Sequence, residues 1–207
     1  MSSGLGEVKS TPGRQSLLRA AARLAARSSS ARALGLREVA REAGLNHNTF
    51  YRHFAGMDEL VDSLVTDFCG DLRAGLTRAR ERAAPGAPPT PAVMRWLFDF
   101  ARDHADVFVV AMREWHGPGG PARETVRAMM DELCRDMARD LTLAGHVPAI
   151  DSRRLHLAAE LIVAHAFHLC LDYLEKPRRR AQLIERATEV FVTVMAGAMA
   201  LESAEKD

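Results

Sequence analysis

Leu36-Arg37-Glu38-Val39-Ala40-Arg41-Glu42-Ala43-Gly44-Leu45-Asn46-His47-Asn48-Thr49-Phe50-Tyr51-Arg52-His53-Phe54 is the stretch that decides how this 207-residue chain reads. A short helix is predicted over 36–43, stopped by Gly44, which suits the left-handed conformation that ends a helix. Asn46 can then accept from the orphan N–H groups of the next residues, so a second short helix is predicted from there to about Phe54, before Ala55-Gly56 breaks it. Two short helices joined by a tight glycine turn form a helix-turn-helix unit, whose second helix fits the DNA major groove. Val39, Ala40, Leu45, Phe50 and Phe54 are its expected core, packed against Leu17, Leu24 and Leu60.

That packing leaves His47, Asn48, Thr49, Tyr51, Arg52 and His53 as a polar face. The residue types suit nucleic acid: Asn and Arg can make paired hydrogen bonds to adenine and guanine edges, Thr can touch a thymine methyl, and Tyr, His and Arg can donate to phosphates. The same spacing also fits a solvated helix in an unrelated helical protein, with Tyr51 and His53 as surface or packing residues.

Outward from this unit the chain reads as helix throughout. Leu17, Leu18, Ala21, Leu24 and Ala25 recur at three and four residues, predicting an amphipathic helix over 14–27. A longer helix is expected over 57–82, then a Pro- and Ala-rich linker over 83–91. Further helices are expected over 92–104, 107–115, 122–144, 152–175 and 178–202, with a Gly-Pro-Gly-Gly-Pro loop at 117–121. No segment alternates as a strand would. The fold class is therefore all-α, with about nine helices.

Charge separates the head from the rest. The net charge is +1, yet residues 1–60 carry nine Lys/Arg against five Asp/Glu, and residues 61–207 carry nineteen against twenty-two. A basic head on a slightly acidic body suits nucleic-acid binding. Cys69, Cys134 and Cys170 lie far apart and form neither a disulfide framework nor a zinc ribbon, which fits a reducing cytoplasm. Residues 1–13 lack an apolar stretch, so a flexible tail and no secretory signal are expected. The longest apolar stretch, 155–174, is interrupted by Glu160, His165, His168 and Asp172. It reads as a buried helix, with no membrane partner.

The pattern Val39-Ala40-x-x-Ala43-Gly44-Leu45-x-x-x-Thr49-Phe50-Tyr51-x-His53-Phe54-x-x-x-x-Glu59-Leu60 resembles the DNA-binding domain of the TetR family of repressors. The resemblance implies that Tyr51 and His53 contact phosphates, that Arg37 reaches the backbone or a base edge, and that Asn46, His47, Asn48 and Thr49 form the reading surface. Two positions depart from the family pattern: Met57 stands where a phosphate-contacting lysine is usual, and Leu36 where a threonine often opens the second helix. The form Leu-Arg-Glu-Val-Ala-Arg-Glu-Ala-Gly, with Phe-Tyr-Arg-His-Phe and Met-Asp-Glu-Leu, is similar to the FabR- and DesT-type branch, whose ligands are long-chain acyl thioesters. The expected organisation is a tail over 1–13, a helix-turn-helix domain over 14–60, and a ligand-binding and dimerisation domain over 61–207.

In the last two helices, apolar stripes rich in small residues run through Leu155, Ala158, Ala159, Ile162, Ala166, Leu169 and Tyr173, and through Leu183, Ala187, Val190, Phe191, Val194, Met195 and Ala198. Together with the resemblance they imply a homodimer closed by a four-helix bundle; alternatively both helices pack within one subunit. In the middle helices Trp96, Phe100, Phe108, Met112, Trp115, Met130, Leu133 and Met137 are candidates to line a cavity for a small hydrophobic effector, although such residues at helical spacing also make ordinary core. Arg113, Arg123 and Arg127 are candidate partners for a CoA head group. A rival reading is a helical enzyme or metal-binding protein using His165, His168 and Asp172, which share one helix face. No nucleophile elbow or phosphate-binding glycine loop is present, and no cofactor or metal is expected. The expected partners are double-stranded operator DNA, a second copy of the chain, and the effector.

Overall fold

The computed structural model describes residues 11–28, 31–82, 90–117, 119–143 and 150–204. Among the described residues there are nine α-helices, two 3-10 turns and no strand. Helix α1 (Pro12–Arg27) starts two residues before its predicted edge because Thr11 Oγ1 accepts from the Arg14 N–H and Pro12 occupies a first-turn position, where its missing N–H costs nothing. Of the tail expected over 1–13, residues 1–10 lie outside the described residues, and Pro12 and Gly13 already belong to α1.

After a 3-10 turn at Ala31–Ala33 come α2 (Leu36–Glu42), α3 (His47–Phe50) and the long α4 (Met57–Glu81). Residues 83–89 of the expected linker lie outside the described residues, and Thr90 and Pro91 already open α5 (Thr90–Asp103). Next are α6 (Ala105–His116), α7 (Pro121–Leu143) and α8 (Ser152–Glu175). The predicted last helix divides: Pro177–Arg179 form a 3-10 turn before α9 (Arg180–Ala204). The α6–α7 loop needs its glycines, since Gly119 and Gly120 hold φ of 125° and 116°.

One contiguous apolar core runs from Leu17 in α1, through Phe50, Phe54, Leu60 and Leu72, to Phe108, Phe167 and Leu183. Helix α4 joins the head to the body, and an ion-pair seam fixes it to α7. Arg73 pairs with Glu132 at 2.6 Å, and Arg80 with Asp140 at 3.0 Å and Asp136 at 3.3 Å. Asp136, a buried charge, also pairs with Arg139, so its desolvation is offset by two guanidinium groups. A smaller apolar cluster of Leu155, Ala158, Ile162, Met195 and Ala198 closes α8 on α9.

Two glycines in α4 make opposite predictions. Gly75 is buried beneath the Trp96 indole, where a Cβ would overlap the ring, whereas nothing stands within 4 Å of a Cβ at exposed Gly70. Gly75→Ala is expected to destabilise the fold by about 1–3 kcal/mol through overpacking. Gly70→Ala is expected to stabilise it by about 0.5–1 kcal/mol through the entropy of the unfolded chain. Thermal melts check both signs; equal shifts would contradict the packing of Trp96 on Gly75.

By length and composition, α8 and the span Pro177–Ala204 are apolar enough to cross a membrane, yet less than half of each is buried. The buried helix expected over 155–174 is thus covered on one side only. Ala187 and Ala198, in the stripe expected across a two-fold axis, are buried within the chain itself, while Leu157, Leu161, Val192 and Leu201 remain exposed.

Candidate nucleic-acid interface and effector groove

The turn of the head is built by hydrogen bonds that its sequence dictates. Gly44 takes φ 69°, its N–H donates to Arg41 O at 3.0 Å, and the Leu45 N–H donates to Ala40 O at 2.9 Å. These two bonds complete a Schellman cap on α2. Two residues later Asn46 Oδ1 accepts from the Asn48 N–H at 2.9 Å and starts α3. The α-helix expected to reach Phe54 ends at Phe50. Beyond it the chain tightens, with Arg52 N–H donating to Thr49 O and His53 N–H to Phe50 O. This tightening accompanies the burial of both Phe50 and Phe54, whose rings lie 5.7 Å apart.

The opposite side is polar and open. Arg37, Asn46, His47, Asn48, Tyr51 and Arg52 are exposed, with Tyr51 edge-on to Phe50 at 5.8 Å. Thr49 and His53 are half-buried, and His53 packs against Gly13 of α1, where a Cβ would stand 2.9 Å from Nε2. Arg41 was not anticipated. It is exposed one turn after Arg37, and both line an open concavity of about 560 Å³ with Gly44, Asn46 and His47. The i, i+4 spacing of the two arginines on α2 was the available signal.

Leu36 and Met57 are half-buried against the core, and neither side chain carries a hydrogen-bond donor for a phosphate. At the start of α4, Glu59 accepts instead from the Ala55 N–H at 2.5 Å, and Asp58 and Glu59 make this first turn acidic.

The eight candidate effector residues fall into three groups. Trp96 stacks on Phe100 at 5.1 Å, and the series continues through Phe68 to Phe108, which stacks on Phe167 at 5.9 Å. Phe108, Met130 and Leu133 are buried in this core. Met137 lies apart, against the cluster that closes α8 on α9. Only Met112 and Trp115 line an open groove of about 600 Å³ between α6 and α8, with Val109, Ala164 and Leu171 as further apolar wall. Arg113, His116 and His168 line the same groove. Arg123 Nε is buried without a hydrogen-bond partner among the described residues, and Arg127 is exposed.

The residues of the rival reading do not assemble a centre. The His165 and His168 rings lie 6.4 Å apart, and no group of three metal-ligating side chains forms among the described residues. Burial first, then Arg186 and His168, lowers the His165 pKa, against a raising effect of Asp172. The thiols are equally unsuited to nucleophilic work. Burial pushes Cys69 up to about 12 and Cys134 up to about 11, where Glu160 and Asp131 add to the rise, and raises Cys170 as well.

A helix-turn-helix head on an all-helical body is the architecture of a transcriptional regulator. The pattern described as bacterial regulatory proteins, tetR family, matches residues 17–64, and the tetracyclin repressor-like C-terminal domain matches residues 90–194. The chain belongs to the TetR family, a family of regulators and not of enzymes. A tetR-family transcriptional regulator from Streptomyces coelicolor superposes with a TM-score of 0.70 at 25% identity, covering 93% of this chain and 84% of that one. The fatty acid degradation regulator FadR from Bacillus halodurans gives 0.70 at 14% identity, covering 90% and 96%. FadR from Bacillus subtilis, solved in complex with stearoyl-CoA, gives 0.68 at 14% identity, covering 88% and 98%. The two FadR structures share the fold.

Proposed function

We propose that this regulator is a cytoplasmic repressor that binds a palindromic operator as a homodimer and is controlled by a small hydrophobic effector, a long-chain acyl-CoA. Residues 14–60 form the DNA-binding head and residues 61–207 the effector and dimerisation body. The observation that carries the reading is the exposed polar edge of Asn48, Tyr51 and Arg52, held in place by Phe50 and Phe54 buried behind it. Arg37, Asn46, His47 and Thr49 extend this edge, and His53 adds a phosphate contact beside α1. Two such edges reach successive major grooves about 34–36 Å apart only in a dimer.

The acyl-CoA reading rests on the apolar walls of the α6–α8 groove, the Arg113 guanidinium and the His116 and His168 imidazoles beside them, and the resemblance to the FabR- and DesT-type branch. Fluorescence anisotropy on the DNA flanking its own gene tests both halves. Binding is expected at least about 1,000-fold tighter than to random duplex. C16 and C18 acyl-CoAs, saturated and unsaturated, are expected to change that affinity. No preference over random DNA overturns the repressor reading, and an affinity indifferent to all four acyl-CoAs overturns the choice of effector.

A further inference from the structure

Arg113 belongs to two places at once. It lines the α6–α8 groove, and its guanidinium donates to three main-chain oxygens of the head: Ala25 O at 3.0 Å, Ala26 O at 3.1 Å and Ser28 O at 2.6 Å. These oxygens end α1, where carbonyls run out of intrahelical partners and the helix dipole is negative. Ser28 gives α1 a local cap, its N–H and hydroxyl both donating to Ala25 O, and a cation on α6 adds a second cap from outside the head. Arg113 is nonetheless exposed, so an incoming anion can reach it.

The groove matches such an anion. Among the described residues its polar lining is Arg113, His116 and His168, with no carboxylate, beside an apolar wall that includes Met112, Trp115 and Leu171. We propose that Arg113 is the joint between groove and head: an acyl chain with an anionic head group, seated in the groove, draws the guanidinium off the α1 carbonyls and frees α1 from α6. A carboxylate or phosphate offers the guanidinium a charged, bidentate partner, which neutral carbonyls do not. The ligand then favours the uncapped arrangement, and this difference in affinity is what shifts the head. The inference rests on the effector reading above and adds the residue that senses the head group and transmits it to the head.

The test compares the full-length wild type with Arg113→Gln and Arg113→Lys. Tryptophan emission, with Trp115 in the groove, reports occupancy, and anisotropy reports operator affinity. The probes are palmitate, palmitoyl-CoA and the neutral methyl palmitate carried by cyclodextrin. An anionic probe is expected to change wild-type operator affinity about 5- to 100-fold, and the probe that does so identifies carboxylate or CoA phosphate as the source. Methyl palmitate is expected to alter emission with little effect on DNA. Ligand-free Arg113→Gln should already have the operator affinity of ligand-loaded wild type and respond no further, and Arg113→Lys, lacking the planar fork, should respond less than wild type. A full response in Arg113→Gln, or an equal response to methyl palmitate, overturns the inference while leaving the effector reading intact. No emission change with any probe overturns the effector reading itself, as does emission that follows protein dilution alone, the sign of a second copy filling the groove.

Discussion

Replacing Leu161 and Val192 together by glutamate should turn the protein into monomers and lower its operator affinity about 1,000-fold, because one subunit reads one half-site. Both side chains are more than half exposed, Leu161 at 54% and Val192 at 58%, so neither supports the fold of its own chain. Leu157, one turn before Leu161 on α8, and Leu201 on α9 are likewise uncovered apolar side chains. A carboxylate there costs little in a monomer. In a two-fold interface each substitution occurs twice, and a buried unpaired charge costs several kcal/mol. Sedimentation velocity reads the oligomeric state, and unchanged far-UV circular dichroism shows the subunit intact. Dimers that persist in the double variant place the interface elsewhere. Ala187→Glu and Ala198→Glu are poorer probes, since those side chains are buried within one chain and a charge there would unfold it.

The second large effect belongs to the head. Arg37→Ala, Asn48→Ala and Tyr51→Phe combined should weaken operator binding at least about 100-fold, since each good base contact is worth about 1–3 kcal/mol. The slope of log affinity against log salt should also fall by about one for each phosphate that no longer has a protein partner. All three residues are exposed, so the melting temperature should stay within a degree or two of wild type. Base preference should change with Asn48, and Tyr51→Phe alone should weaken all sequences alike. Wild-type binding by the folded triple variant removes this edge as the DNA-binding surface.

The head was legible in the sequence because its turn is made by local chemistry. Gly44 had to supply the left-handed residue and Asn46 the cap, and both roles lie within a few residues of the bonds they make. The end of α3 was less legible, since the tightening after Phe50 goes with the burial of Phe54, whose ring lies under Arg14 of distant α1. Helical periodicity identified the apolar residues of the body but not what each one faces. Phe108 and Met130 fill the core, Met112 and Trp115 border a groove, and Met137 belongs to another cluster, yet all recur at the same spacing. The pattern likewise could not divide the α8 and α9 stripes into residues used within the chain and residues left outside. Arg113 read as a cation for the CoA head group of an effector, because its carbonyl partners lie 85 to 88 residues earlier in the chain.

The single core that passes through α4 has a bearing on how such proteins can be rearranged. Leu60, Val61, Leu64, Phe68 and Leu72 of α4 share one apolar core with Leu17 and Phe50 of the head, and Phe68 meets Phe100 and Phe108 of the body. The C-terminus of α1 is finished by Arg113, a side chain the head does not own. The head is therefore not a portable part. A chimera that borrows its operator specificity has to inherit α4 with it, and the recipient body has to bring its own cap for α1.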